Sequence, residues 1–266
     1  MIRAATPEDM PAVRKVAKRF GLLAGWSGTP DFLDAERSFG MLLFAVDEAG
    51  GALGFGGTLR RGPLTHLGDL FVLREHQSSG VGRTMLTELL SEHGPKVTFA
   101  SSDPRAMALY VRHGLRPWVP LLYLTGPTAK LPTPPVRRTA ADDIAELDAR
   151  ASGGVRRATL AWYAALPGVT VYATDRGYAA ARRTGHDVVI GPGGGVTPQD
   201  CADAVLGALA ATQARTAQIA VPGTHPLVPM LLGAGWRIAD MDTLMADDAG
   251  LDLIQPDRYV PHPDLG

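Results

Sequence analysis

Short apolar runs alternate along the chain with stretches in which apolar positions recur every three or four residues. Runs such as "MLLFAV", "LFVL" and "VTFAS" predict strands, because buried strands are short apolar segments bounded by turn residues. The stretches at residues 7–20, 82–93 and 104–114 predict helices, and the last of them begins with proline and ends at glycine. Residues 20–40 are predicted to be irregular or a broken helix. The pattern indicates an α+β fold.

The same order of predicted elements occurs twice along the chain. "IRAATPEDMPAVRKVAKR" from Ile2 and "VRRTAADDIAELDARASG" from Val136 both predict a short strand, an acidic helix start and an amphipathic helix. "YVRHGLRPWVPLLYL" and "LLGAGWRIADMDTLM" both end a helix with glycine and enter a last strand. We therefore predict two tandem domains, residues 1–126 and 136–266, joined by a proline-rich linker at residues 127–135. The alternative is one domain with a proline-rich internal loop.

Composition narrows the class of protein. The 266 residues are 45% hydrophobic and 20% charged with a net charge of -1, which is typical of a globular protein without general attraction to nucleic acid or acidic membranes. Cys201 is the only cysteine, so a disulfide within the chain is impossible. The first residues lack the apolar core of a signal peptide, and the histidines show no metal-ligand spacing. We expect a cytoplasmic protein, with a homodimer possible and no metal.

A glycine-rich turn follows the apolar strand at residues 69–73. Gln77, Gly80 and Gly82 form the pattern Q-x-x-G-x-G directly before a helix. Glycine lets the backbone fold tightly, and the first amides of a helix have no partner within the helix, so together they form a seat for a pyrophosphate. The pattern lacks the Gly-Lys-Ser/Thr of a P-loop and the G-x-G-x-x-G order of a dinucleotide fold.

Two motifs in order, "DLFVLREHQSSGVGRTML" and "SSDPRAMALYVRHGLRP", resemble the GNAT superfamily of acyl-CoA-dependent N-acetyltransferases. The resemblance covers the first half and implies a mixed, mostly antiparallel sheet flanked by helices in each domain. In the second motif Asp103 replaces the family's asparagine and Leu115 its phenylalanine. The resemblance implies acetyl-CoA as co-substrate, bound by the strand, the loop and the second motif: Phe71, Val72, Leu73, Gln77, Ser78, Ser79, Gly80, Val81, Gly82, Arg83, Asp103 and Ala106.

The same resemblance implies direct attack of a primary amine on the thioester in a ternary complex. Tyr110 is the candidate acid, since a phenol can protonate a departing thiolate. The family often carries an acid where this chain has Gly68. Asp69 and His66 are therefore alternative candidates for the base. The acceptor, a small-molecule or protein amine, stays open. A non-catalytic acyl-CoA sensor or scaffold is the alternative function.

The second half lacks these motifs. Its "GPGGG" segment has no Q-x-x-G-x-G, and we expect a flexible loop there, with an anion-binding nest of backbone amides as the alternative. Matching Gly235 with Gly114 places Leu231 where the first half has Tyr110. The second half is therefore predicted to be a degenerate copy that retains the fold without the chemistry. We expect it to wall the acceptor cleft of the first half or to mediate dimerisation.

Overall fold

The structure is a computed structural model that describes residues 1–26 and 28–266. Ser27, within the segment predicted to be irregular, lies outside the described residues. The rest of that segment contains a turn and then a helix, which is α2 below. No helix in the described part of the chain is both long and apolar enough to cross a membrane.

Each half of the chain contains the same ten elements in the same order, as the sequence pattern predicts. In the first half these are β1 (Ile2–Ala4), α1 (Met10–Arg19), α2 (Phe32–Phe39), β2 (Gly40–Val46), β3 (Ala52–Arg61), β4 (Leu64–Val72), α3 (Val81–Leu89), β5 (Lys96–Ala100), α4 (Pro104–Arg112) and β6 (Arg116–Pro127).

The second half repeats them and adds a helix and a strand at its end. Its elements are β7 (Arg137–Arg138), α5 (Ala141–Ser152), α6 (Arg157–Ala164), β8 (Val169–Ala173), β9 (Gly177–Thr184), β10 (Asp187–Gly195), α7 (Pro198–Thr212), β11 (Thr216–Pro222), α8 (Leu227–Gly233), β12 (Arg237–Ala246), α9 (Asp248–Leu253) and β13 (Tyr259–Val260).

The two halves exchange the last of their ten common elements, strands β6 and β12. β12 of the second half pairs with β5 of the first, and β6 of the first half pairs with β11 of the second. β6 and β12 then pair with each other, so that one sheet runs without a break through the molecule. Each half therefore depends on the other to complete its sheet, because an unpaired strand edge leaves backbone groups unsatisfied.

Strand β4 carries a β-bulge at Gly68. Thr58 of β3 pairs with Leu67 and the preceding residue Gly57 pairs with Asp69, which leaves Gly68 as the extra residue. β4 pairs with β5 in parallel only over residues 65–67, and in the described chain the later residues of β4 have no partner on β5. The strands therefore separate beyond Leu67 and leave a cleft beside β4.

The equivalent cleft of the second half is filled by the chain itself. β10 pairs with β11 over residues 187–190, and beyond them β13 pairs with β10 at Gly193 and Gly194. The expectation of a flexible loop at "GPGGG" is therefore wrong, since its last three glycines lie in β10. These positions are crowded: a Cβ atom on Gly194 would lie 2.7 Å from Cε1 of Tyr178.

Helix α2 holds an acidic side chain in the core. Asp31 caps the helix by accepting from the amide of Leu33 at 3.1 Å, and Nε of Arg14 on α1 lies 2.7 Å from Oδ2 of Asp31. The buried face of the helix comprises Phe32, Leu33, Ala35 and Glu36. Glu36 is fully buried and thus occupies a position where a core residue is normally apolar.

Candidate active site

The glycine-rich turn between β4 and α3 lines a cavity of about 590 Å³. Gly80 caps α3 with a left-handed φ of +91°, a conformation that glycine adopts without strain. A Cβ atom at Gly80 would meet nothing within 4 Å, so the backbone there faces open space. The predicted binding residues that line this cavity are Val72, Gln77, Ser78, Ser79, Gly80, Gly82, Arg83, Asp103 and Ala106.

Three other predicted residues lie elsewhere. Phe71 lines a neighbouring cavity, and its ring centroid is 5.7 Å from that of Phe55. Leu73 is buried, and its amide donates to the carbonyl of Leu53 at 2.9 Å. Val81 is the first residue of α3, and its side chain lines neither cavity.

Gln77 ties the turn to the start of α4. Its Nε2 donates to the carbonyl of Val72 at 3.1 Å, and its Oε1 accepts from Nη1 of Arg105 at 3.1 Å. Arg105 also binds both carboxylate oxygens of Asp103, which caps α4. Hydrogen bonds from Arg105 hold the pKa of Asp103 below its usual value. Arg105, absent from the sequence prediction, thus links the two predicted motifs.

A second cavity of about 500 Å³ contains all three predicted catalytic residues, Tyr110, Asp69 and His66. It adjoins the turn cavity, and the two share six wall residues: Leu70, Val72, Gln77, Asp103, Arg105 and Ala106. A ligand seated on the turn can therefore extend along the open edge of β4 to reach Asp69 and Tyr110.

Tyr110 is almost fully buried in this cavity. Burial, together with the negative charges of Asp69 and Asp242, raises the pKa of its phenol well above the usual 10. The phenol therefore keeps its proton throughout the physiological range of pH. It is therefore available to donate a hydrogen bond to a negative charge that forms beside it.

Asp69 is 7% exposed and follows the bulge at Gly68. Burial, and secondarily the charge of Asp264, raises the pKa of its carboxyl from 3.8 to about 7. Such a carboxyl changes its protonation near neutral pH, which suits a general base.

Glu36 lies directly against the bulge, and sequence reasoning missed it. A Cβ atom on Gly68 would lie 2.5 Å from Oε1 of Glu36, and one on Gly57 would overlap its carboxyl group. Burial and the neighbouring charge of Asp69 raise the pKa of Glu36 well above its usual value. In residues 1–26 and 28–266 neither carboxyl oxygen of Glu36 meets a hydrogen-bond donor. These effects favour the protonated form of Glu36, which can donate its proton in a hydrogen bond to the neighbouring carboxylate of Asp69.

His66 lines the same cavity but is 2% exposed. Burial and the nearby charges of Arg61 and Arg156 lower its pKa well below 6.5, so the imidazole is neutral. Neither ring nitrogen has a hydrogen-bond partner in the described chain. Its ring centroid lies 4.8 Å from that of Phe99.

Four residues in the cavity wall come from the exchanged strand or from the second half. Tyr123 lies on β6 and donates to Oδ2 of Asp242 on β12 at 2.8 Å. Pro263 and Asp264 follow β13, and Oδ2 of Asp264 accepts from the indole of Trp26 at 2.9 Å. No local motif marks these residues. Only the strand exchange and the path of the last residues bring them to this cavity.

The second half lacks an equivalent set. Leu231, at the position of Tyr110, is fully buried, and the amide of Trp236 donates to its carbonyl just as the amide of Leu115 donates to that of Tyr110. Cys201 is also fully buried, and burial raises the pKa of its thiol. With β13 in the cleft, this half has the backbone of the first half without its polar groups.

Comparisons with known proteins show a similarity over the part of the chain that contains this arrangement. The model of the acetyltransferase (GNAT) domain matches residues 32–122. No curated protein matches the chain in sequence at a significant level. The 91 residues that the acetyltransferase domain model matches include the open cleft, Asp69 and Tyr110.

Solved structures extend the likeness to the whole chain. A candidate acetyltransferase from Pyrococcus horikoshii has a TM-score of 0.77 at 16% identity, and the match covers 100% of this chain and 95% of that one. A tandem GNAT protein from the clavulanic acid biosynthesis pathway has a TM-score of 0.59 at 16% identity, over 94% and 98% of the two chains. A GCN5-related N-acetyltransferase from Sphaerobacter thermophilus has a TM-score of 0.57 at 15% identity, over 93% and 95%. The matches confirm the predicted family resemblance and the tandem fold.

Asp69 is expected to make folding stability depend on pH. Its pKa is higher in the folded state than in the unfolded chain, so its stabilising contribution is complete below about pH 4 and is lost as pH rises through 7. Asp69→Asn cannot ionise and should raise Tm by roughly 3–8 °C at pH 8, with little change at pH 4. Thermal unfolding at the two pH values measures the difference.

The matched control is Asp175→Asn, at an exposed turn residue between β8 and β9. It should leave Tm unchanged at both pH values. A Tm for Asp69→Asn that is lower than that of the wild type at pH 8 would contradict the raised pKa of Asp69.

Proposed function

We propose that this chain, which contains a GNAT acetyltransferase domain and has the fold of a tandem GNAT protein, transfers an acetyl group from acetyl-CoA to a primary amine. The observation that carries the proposal is the open cleft beside β4. It joins a glycine-rich turn at a helix start to a cavity that holds Asp69 and Tyr110. The first half is the catalytic one.

The turn fits the pyrophosphate of the coenzyme. The first amides of α3 have no partner within the helix and carry the positive end of its dipole. Gly80 and Gly82 place no side chain over these amides, and Arg83 adds a positive charge to the wall of the cavity. The remaining length of the coenzyme would lie along the open edge of β4.

The bulge at Gly68 turns the edge of β4 towards the cleft. The amide of Leu73 is already used by Leu53, so the donor to the thioester oxygen is an amide between the bulge and Leu73. A backbone amide held in place before the reaction stabilises the negative charge that develops on that oxygen. This geometry favours direct attack by the amine.

Asp69 and Tyr110 then complete the proton transfers. Asp69 accepts a proton from the bound ammonium group, and the free amine attacks the thioester carbon. The carbon–sulfur bond breaks as the amide bond forms, and Tyr110 donates its proton to the departing thiolate. The second proton of the attacking nitrogen passes to solvent, and the proton on Asp69 restores Tyr110 through water.

Glu36 acts through Asp69, the proposed base, and is therefore a positioning residue. The family's acid before the aspartate is missing at Gly68, and the carboxyl of Glu36 enters the space that this glycine leaves. Its hydrogen bond to Asp69 favours the ionised form and lowers the pKa of Asp69 against the effect of burial. Asp69 is thereby ionised in a useful fraction of molecules at neutral pH.

Coenzyme binding is tested by calorimetric titration with acetyl-CoA. The wild type should bind one molecule per chain, and Gly82→Trp should abolish the binding by filling the turn cavity. Gly82→Ala is the matched control, because its Cβ atom would lie at an ordinary 3.5 Å from Cγ2 of Val72. Two sites per chain would contradict the inactive second half, and no binding would contradict the proposed function.

Tyr110→Phe distinguishes the enzyme from a non-catalytic acyl-CoA sensor. It should lower kcat by about 100-fold or more, since a general acid contributes this much, and leave acetyl-CoA affinity unchanged. A screen of primary amines with detection of free thiol measures turnover. Full turnover in Tyr110→Phe would contradict its role as the acid. Coenzyme binding by the wild type without turnover of any amine would favour the sensor.

The pH profile of kcat/KM tests Glu36. In the wild type kcat/KM should rise with pH through about 7 as Asp69 ionises. Glu36→Met removes the hydrogen bond to Asp69 and should move this limb upward by about one pH unit. Glu36→Gln retains a donor and should leave the limb near its original position. The Tm of each variant shows whether it is folded. If both are folded and kcat/KM rises at the same pH in both, the hydrogen bond from Glu36 to Asp69 is refuted.

A further inference from the structure

The acceptor end of the cavity is acidic. Three carboxyl groups line it, those of Asp69, Asp242 and Asp264. The two arginines in the cavity wall, Arg74 and Arg105, lie near Gln77 at the end where the coenzyme turn begins. In the described chain no lysine or other arginine lines this cavity.

We propose that the acceptor is a diamine or longer polyamine, in which Asp69 receives the nitrogen that is acetylated while Asp242 and Asp264 bind a second ammonium group. This inference rests on the proposed function. One ammonium group at Asp69 would leave the other two carboxylates unpaired in a partly buried site, and uncompensated charge there is costly. A second cation balances them.

Asp264 is held rigidly in the wall. Nδ1 of the buried His262 accepts from the amides of both Asp264 and Leu265, at 3.0 and 3.2 Å. The indole of Trp26 donates to Oδ2 of Asp264 at 2.9 Å. A carboxylate fixed by its own backbone and by one neighbour is arranged before the ligand arrives, which lowers the entropic cost of binding.

The charge near Asp264 is only partly balanced by the protein. Arg182 lies with its guanidinium 3.9 Å from the ring centroid of Trp26, and its charge lowers the pKa of Asp264. Burial outweighs this effect, and the pKa of Asp264 stays above its usual value. Arg182 is absent from the cavity wall, so it leaves the side of Asp264 that faces the acceptor free for a cation.

Asp242 faces the same space from the second half. Tyr123 donates to Oδ2 of Asp242, and burial raises the pKa of this carboxyl. The aromatic rings of Phe99, Tyr110 and Tyr123 line the wall around it. Aromatic faces attract ammonium groups, and the methylene chain of a polyamine packs against them.

A buried histidine without a partner also favours a cation in this cavity. His66, 2% exposed and in the cavity wall, has no hydrogen-bond partner for either nitrogen among the described residues, so its neutral imidazole can accept from an ammonium group. An ammonium ligand would thus satisfy a buried polar group that the protein itself leaves without a partner.

The inference gives the second half a role in acceptor selection. Its own cleft is filled by β13, and the residues that follow β13 carry Asp264 into the first half's cavity. The exchanged β12 carries Asp242. The degenerate copy would therefore choose the acceptor for the active one.

The experiment compares 1,4-diaminobutane with 1-aminobutane, which has the same chain and one ammonium group. The wild type should acetylate the diamine with at least tenfold higher kcat/KM. Asp264→Asn and Asp242→Asn should each lower kcat/KM for the diamine by roughly 10- to 100-fold more than for the monoamine, since one charged hydrogen bond is lost. Asp240→Asn, at an exposed residue of β12, is the matched control and should preserve the preference.

Equal kcat/KM for the two amines in the wild type would overturn the second ammonium site. So would equal losses for both amines in Asp264→Asn and Asp242→Asn, because a structural or chemical role does not distinguish them. If neither amine is acetylated, calorimetry with coenzyme A and 1,4-diaminobutane decides the second ammonium site, while the screen of primary amines tests the proposed function separately. Binding of the diamine that Asp264→Asn weakens would support the site, and no binding would overturn it.

Discussion

The antiparallel pairing of β6 with β12 is the interaction on which the rest of the molecule depends. Each strand is the last of the ten elements that its half shares with the other, and each completes the sheet of the other half, so neither half has a finished sheet alone. The same pairing brings Tyr123 beside Asp242 and places both in the wall of the first half's cavity. The pairing of β6 with β12 therefore both completes the sheet and supplies residues to the cavity wall.

The two halves share one backbone fold, but the cleft is open in the first half and filled in the second. In both, two parallel strands pair for a few residues and then separate. In the first half the gap stays open beside a glycine-rich turn. In the second half β13 occupies the gap, and crowded glycines in β10 accommodate neighbouring side chains and backbone. A cleft filled by its own chain has no room for a coenzyme, whatever fold surrounds it.

The acidic site carries a cost in stability. Burial makes the carboxyl groups of Glu36, Asp69 and Asp264 harder to ionise, and the charge of a neighbouring carboxylate adds to this effect at Glu36 and Asp69. Gly57 and Gly68 leave the room that Glu36 occupies, so the backbone of β3 and β4 is built around this side chain. Such a cost in stability is expected where charged groups are buried for binding or catalysis, since active sites commonly exchange stability for function.

The sequence by itself determined the order of elements, their duplication and the glycine-rich turn, because these depend on local periodicity, caps and glycine positions. The sequence alone shows the spacing of Gln77, Gly80 and Gly82 and the position of Tyr110 in the second motif. Glu36, Asp242 and Asp264 were not. Glu36 looks like one more polar residue of an amphipathic helix, and the other two lie more than 170 residues from Asp69 in the sequence. Only the tertiary structure decided where these side chains lie, since strand exchange, burial and the space left by a glycine are properties of contacts between distant segments.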